Sequence, residues 1–259
     1  MKRRDFLTAT AITTAISITS QSHAADKAPD TKQYLELRQY EFSSRQKQNA
    51  FENFLAKAAI PALNRQSIKP IGVFKAADDQ STDLWLLIPH NTAESAIASN
   101  SKMLADPLFK QAGSDIITCP KTDLAYKRFT SSLLLAFDKC PKAEVPSRKS
   151  SRIFQLRIYE SHNTTMAKRK IEMFNTGGEI DLFRSTGLNP VFFGESIVGS
   201  KMPNLTYMVG FDDTEAQTKA WATFQKHPKW TKLKSDPYYK DTVSNITNIV
   251  LRPSDSSQI

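Results

Sequence analysis

Two short stretches of this 259-residue chain place a tyrosine two positions after an arginine. They are Leu35-Glu36-Leu37-Arg38-Gln39-Tyr40-Glu41 and Phe154-Gln155-Leu156-Arg157-Ile158-Tyr159-Glu160. On an extended strand, side chains two apart share a face. Glu36, Arg38 and Tyr40 therefore stand together, opposite Leu35 and Leu37. Gln155, Arg157 and Tyr159 likewise stand opposite Phe154, Leu156 and Ile158. A guanidinium beside a phenol is an anion clamp next to a hydrogen-bond donor or proton relay. A buried guanidinium needs a partner, either a carboxylate of its own protein or a bound anion. Glu36, Glu41, Glu160 and Glu195 could neutralise the arginines from within; a small carboxylate or phenolic molecule could do so from outside. The candidate ligand-binding set is Glu36, Arg38, Tyr40, Arg157, Tyr159 and Glu195, and no residue is assigned a catalytic role.

Other chemistry is sparse. The sequence has no serine nucleophile elbow, phosphate loop or zinc motif. Beyond the leader, His90, His162 and His227 fall at strand or helix ends without metal-ligand spacing, so neither a metal nor another cofactor is expected. Cys119 and Cys140 flank a predicted strand. In an oxidising compartment they could form a disulfide, and two free thiols are the alternative. Trp85 and Tyr207 read as core residues.

The elements that must position these side chains come as an internal repeat. The two arginine strands are 119 residues apart, and later landmarks keep nearly that offset. Pro70 before Ile71-Gly72-Val73-Phe74 answers to Pro190 before Val191-Phe192-Phe193-Gly194. Trp85 answers to Tyr207, and Asp106-Pro107-Leu108-Phe109 to His227-Pro228-Lys229-Trp230. In the first unit, alternation predicts strands over 34–41, 70–76, 83–89 and 132–137, and helical spacing predicts helices over 45–65 and 92–104, with a further short piece from Pro107. The second unit repeats this as strands 152–160, 190–197, 205–212 and 244–252 and helices 165–185 and 214–226, with a short helix from Pro228. Pro61 and Gly177-Gly178 suggest bends in the long first helices.

The order β-α-β-β-α-β is the ferredoxin-like split βαβ arrangement, a four-stranded antiparallel sheet with helices on one face. Its bare face must be covered. The expected fold is α+β: two tandem ferredoxin-like units, at 34–138 and 152–253, joined by a Pro-containing basic linker at 139–151 and packed sheet to sheet as a pseudo-dimeric α/β barrel. The apolar sides of the arginine strands would meet the helices, and the Arg–Tyr sides would line the interior.

The net charge of +9 includes +2 from Lys2, Arg3, Arg4 and Asp5. Basic residues elsewhere are scattered, so nucleic acid is not an expected partner. Residues 1–24 have the charged, apolar, small-residue order of a signal peptide, with cleavage expected after Ala24. Arg3-Arg4-Asp5-Phe6-Leu7 resembles a twin-arginine core, which implies a periplasmic or otherwise exported protein. No membrane span is expected after cleavage.

The second unit carries a family resemblance. Ile171-Glu172-Met173-Phe174, Gly178-Glu179-Ile180, Arg184-Ser185-Thr186-Gly187-Leu188, Pro190-Val191-Phe192-Phe193-Gly194-Glu195, Pro203-Asn204-Leu205-Thr206-Tyr207-Met208 and Asp241-Thr242-Val243-Ser244-Asn245-Ile246 resemble bacterial NIPSNAP proteins. The resemblance covers residues 34 to about 253 and is clearer in the second half. It implies the dimeric α/β-barrel superfamily, which includes cofactor-free monooxygenases, haem-dependent chlorite dismutases and small degradative enzymes. The family has no settled reaction. The expected function is binding of a small anionic or aromatic molecule in the barrel interior. The alternative is a non-catalytic scaffold of the cell envelope that assembles through sheet edges or helical faces, with further copies of the chain among its partners.

Overall fold

A computed structural model describes residues 31–78 and 80–259; the leader expected over 1–24 lies outside them. The first unit contains β1 (Tyr34–Glu41), α1 (Arg45–Phe54), α2 (Ile60–Arg65), β2 (Gly72–Ala76), β3 (Leu84–His90), α3 (Ala93–Ala105), α4 (Pro107–Ile117) and β4 (Arg128–Ala136). The second contains β5 (Ile153–Glu160), α5 (Thr164–Phe174), α6 (Glu179–Ser185), β6 (Asn189–Val198), β7 (Asn204–Phe211), α7 (Thr214–Lys226), α8 (Pro228–Lys234) and β8 (Asn245–Pro253). The helices start where the chain offers side-chain caps: Ser44, Thr92, Asp106, Asn163 and Asp213 each accept a backbone N–H of the first turn.

The bends fall where the breaker residues stand. α1 runs into α2 through a π-helical turn, Leu55–Ala59, just before Pro61, whose missing N–H the wider turn accommodates. Gly178, at φ +84°, separates α5 from α6 and caps the latter. β4 begins four residues before the expected 132 because Arg128 to Ser131, although exposed, are drawn into the ladder opposite Glu41 to Arg38 of β1.

The eight strands close into one barrel in the order β1-β3-β2-β8-β5-β7-β6-β4. Each unit supplies four neighbouring strands, and the seams are the antiparallel pairs β2–β8 and β4–β6. Closure removes most of the sheet edge, and β4 over 128–132 and β8 over 245–249 remain unpaired on the side of the seam.

The structure corrects the expected orientation of the sheets. Leu35, Leu37, Phe154 and Leu156 point into the barrel, where they pack with Phe74, Trp85, Leu134, Phe192, Met208 and Leu251. Phe74 and Phe154, one from each unit, meet at 4.9 Å between ring centroids. Tyr40 and Tyr159 lie instead against the helices. The barrel interior is thus a filled apolar core and not a ligand cavity. The reason is that the central strands of each half are covered on both faces. β3 and β7 are buried along their whole length, as strands covered on both faces are. An eight-stranded barrel is narrow enough for side chains to fill, and each Leu or Phe enclosed there contributes roughly 1.5–3 kcal/mol.

The linker and the C-terminal tail close one end of this core. Ala143 and Val145 pack on the interior cluster, and Ile259 is buried in it. Gln258 bonds Ile71 through both its backbone N–H and its side-chain oxygen, and Arg152 Nη2 donates to the Ile259 carbonyl.

Candidate functional site

Each unit has its own cavity between the outer face of its sheet and its helices, and the two arginines fall one in each. In the first unit Glu36 holds Arg38 in a fork: Nε donates to Oε1 at 2.6 Å and Nη2 to Oε2 at 2.9 Å. Ser131 Oγ donates to the same carboxylate at 2.7 Å, and the fully buried His90 brings Nε2 to 3.6 Å from it. Arg38 Nη1 reaches Tyr40 Oη at 3.4 Å, and its guanidinium lies 5.6 Å from the Phe129 ring centre. Burial by itself would raise the Glu36 pKa, but His90, Arg38 and Ser131 together bring it down to about 2. The pair is self-neutralising and leaves no charge for a ligand to answer.

This arrangement predicts an acid response. Glu36 has a lower pKa folded than its ordinary 4.5, so its contribution is complete above that value and is lost as pH falls from about 4.5 towards 2. The shift corresponds to about 3 kcal/mol. Thermal melts across this range should show the native protein losing its advantage over Glu36→Gln. Parallel acid profiles for the two proteins would refute the assignment.

In the second unit the position of Glu36 is taken by Gln155, and this changes the electrostatics. Gln155 Oε1 accepts from Trp221 Nε1 at 2.6 Å and from Gln217 Nε2 at 3.2 Å, and its amide donates to Asn248 Oδ1 at 2.7 Å. Its bonds lead to neighbours other than Arg157. Arg157 instead stacks over Trp221 at 5.1 Å and Tyr159 at 5.3 Å, and its buried Nε has no hydrogen-bond partner. Tyr159 Oη and Tyr207 Oη lie 3.0 Å apart. Lys170 Nζ donates to Glu179 Oε2 at 2.8 Å, both side chains being almost wholly enclosed. Burial pushes the Glu179 carboxyl up, opposed by Lys170 and Arg157. It also pushes up Tyr159 and, more strongly, Tyr207, so both phenols are protonated donors at neutral pH. The cavity, about 330 Å³, is lined by Gln155, Arg157, Tyr159, Glu179, Phe183 and Trp221, with Phe224 and Trp230 beyond. With Lys170 and Glu179 cancelling, Arg157 leaves one positive charge over.

Of the expected ligand-binding residues, the structure brings Glu36, Arg38 and Tyr40 together, and separately Arg157 and Tyr159. Glu195 joins neither group, because it forms a surface ion pair with Lys168 at 2.7 Å. Cys119 and Cys140 are both free thiols. Cys119 lines the first cavity, whereas Cys140 is buried in the core of the second unit, so the disulfide does not form. Sequence reasoning missed Lys170, Glu179 and Trp221. Lys170 sits in a basic triplet that reads as surface, and only the turn at Gly177-Gly178 folds Glu179 back onto it. The replacement of Glu36 by Gln155, in contrast, is visible in the aligned repeat.

The architecture defines the class: an eight-stranded α/β barrel made of two ferredoxin-like halves, the fold of the dimeric α/β-barrel proteins. Residues 154–258 match the NIPSNAP family model. No curated protein matches the chain. Among solved structures, a protein named "putative monooxygenase" from Lactobacillus acidophilus NCFM superposes with a TM-score of 0.59 at 8% identity, over 86% of this chain and 94% of that one. Another of that name, from Fusobacterium nucleatum, gives 0.58 at 9% identity over 86% and 93%. A NIPSNAP-like domain protein from Burkholderia xenovorans aligns over 41% of this chain and 88% of its own, with a TM-score of 0.37 and 17% identity. For the two structures named "putative monooxygenase" the likeness is one of fold.

Proposed function

We propose that the protein binds a small aromatic anion, a carboxylate or phenolate, in the cavity of its second half. The observation that carries this reading is Arg157, held among aromatic rings with a buried, unpartnered Nε, where the first half supplies its arginine with a glutamate. A planar anion would pair with the guanidinium and stack its ring against Trp221 or Phe183. Tyr159 would donate a hydrogen bond from its protonated phenol. The volume suits a one- or two-ring molecule, at the small end of ligand pockets. The "putative monooxygenase" neighbours share the fold, and binding is the part of their chemistry that this cavity can support through its own residues.

The test is calorimetric titration with benzoate, 4-hydroxybenzoate and 2-naphthoate against the uncharged benzamide and 2-naphthamide. The anions should bind at least about tenfold more tightly, the return on one charge-assisted contact. Equal affinity for the amides, or no heat with any anion, would refute the reading.

A further inference from the structure

The cavity of the first half is larger, about 450 Å³, and of different chemistry. Its deep walls are the buried Leu55, Leu63, Leu86 and Ile88 together with Phe109, and one wall is the π-helical turn Leu55–Ala59. Such turns widen a helix locally and recur at ligand sites. The charged group that reaches inside, Arg38, is already neutralised by Glu36. A second anion at this depth would face a balanced pair and the full cost of leaving water.

The mouth is unlike the interior. Leu104 and Leu124 are 47% and 45% exposed at the rim. Lys127 and Arg128 stand exposed on the same rim, and no carboxylate is among the residues lining the cavity. An apolar hole with leucines at its lip and two cations beside them matches one kind of molecule.

We propose that this cavity binds a single-chain amphiphilic anion, its aliphatic chain enclosed by the helices and its carboxylate held at the rim by Lys127 and Arg128. The ligand differs from the aromatic anion of the second half because the repeat has diverged at both ends of the cavity. The buried arginine here has its counter-ion, and the rim cations take its place as the anion-binding group.

Cys119 makes the proposal testable in the intact protein. It lines this cavity and is part-exposed. Cys140, the other thiol, is buried, and burial with Glu144 beside it pushes its pKa up to about 12, which leaves it inert. Alkylation of the full chain by iodoacetamide, followed by mass spectrometry, therefore reports on the cavity. Dodecanoate below its micellar concentration should slow Cys119 alkylation saturably, by about tenfold when bound. Dodecyltrimethylammonium, with the same chain and opposite charge, should protect at much higher concentration, and benzoate should not protect. The surface variant Lys127→Glu/Arg128→Glu should need several-fold more dodecanoate, roughly the worth of two exposed ion pairs. Three results would each overturn the proposal: absence of dodecanoate protection, equal protection by the cationic amphiphile, and an unchanged requirement in the variant. A Cys119 unreactive in the free protein would also overturn it, since the cavity would then be closed to small molecules. Protection that disappears in Arg157→Met would assign the ligand to the other cavity.

Discussion

Replacing Glu179 with alanine is expected to lower the stability of the protein by about 3–5 kcal/mol, the usual cost of removing one partner of an enclosed ion pair. The carboxylate and Lys170 Nζ are 2.8 Å apart, with side-chain exposures of 3% and 6%. Without Glu179 the ammonium would face Phe174, whose ring centre is 4.5 Å away, and the thioether of Met173. Neither replaces a carboxylate, and Arg157 would add a like charge nearby. For a barrel of this size the loss corresponds to roughly a 10 °C fall in melting temperature, readable by calorimetry. Lys170→Met should be milder, because it removes the cation while leaving a carboxyl that burial already inclines towards protonation. A Glu179→Ala protein melting within a degree or two of the parent would show that the pair is not enclosed as described.

The second large effect separates the two arginines. Arg157→Met should weaken binding of an aromatic carboxylate by about a hundredfold, since a charge-assisted contact in an enclosed site is worth a few kcal/mol. The matching amide should bind as before. Stability should be unchanged or slightly higher, because the variant removes a buried Nε that has no partner. Arg38→Met should do the reverse. It strands Glu36 beside Ser131 and His90, costs stability of the same order as Glu179→Ala, and leaves the aromatic anion bound. Gln155→Glu completes the comparison by giving Arg157 the neighbour that Arg38 has, and it should suppress anion binding. Fluorescence of Trp221 and Trp230, both lining the cavity, reports the titrations. The assignment fails if Arg157→Met retains affinity for the anion.

Several of these features were open to reading from the chain alone, and for local reasons. The repeat, the element order and the caps follow from short-range patterns, so the ferredoxin-like halves could be drawn before any tertiary contact was known. The bends at Pro61 and Gly177-Gly178 fall where the breaker residues stand. The divergence of Glu36 into Gln155 is a difference between aligned letters, and it underlies the contrast between the two cavities. Where Glu195 would fall, and which of the two alternatives the cysteines would take, was not legible because proximity in the fold has no signature in spacing.

What the sequence by itself determined was which side chains travel together: Leu35 with Leu37, Arg38 with Tyr40, Arg157 with Tyr159. Period-two alternation sorts residues into two faces but does not say which layer each face will meet. Only the tertiary structure decided that. Closing two four-stranded sheets edge to edge makes the inside of the barrel the more confined of the two layers. Leucines, phenylalanines and other apolar side chains pack it, and the arginines are left to the looser layer beneath the helices, where cavities remain.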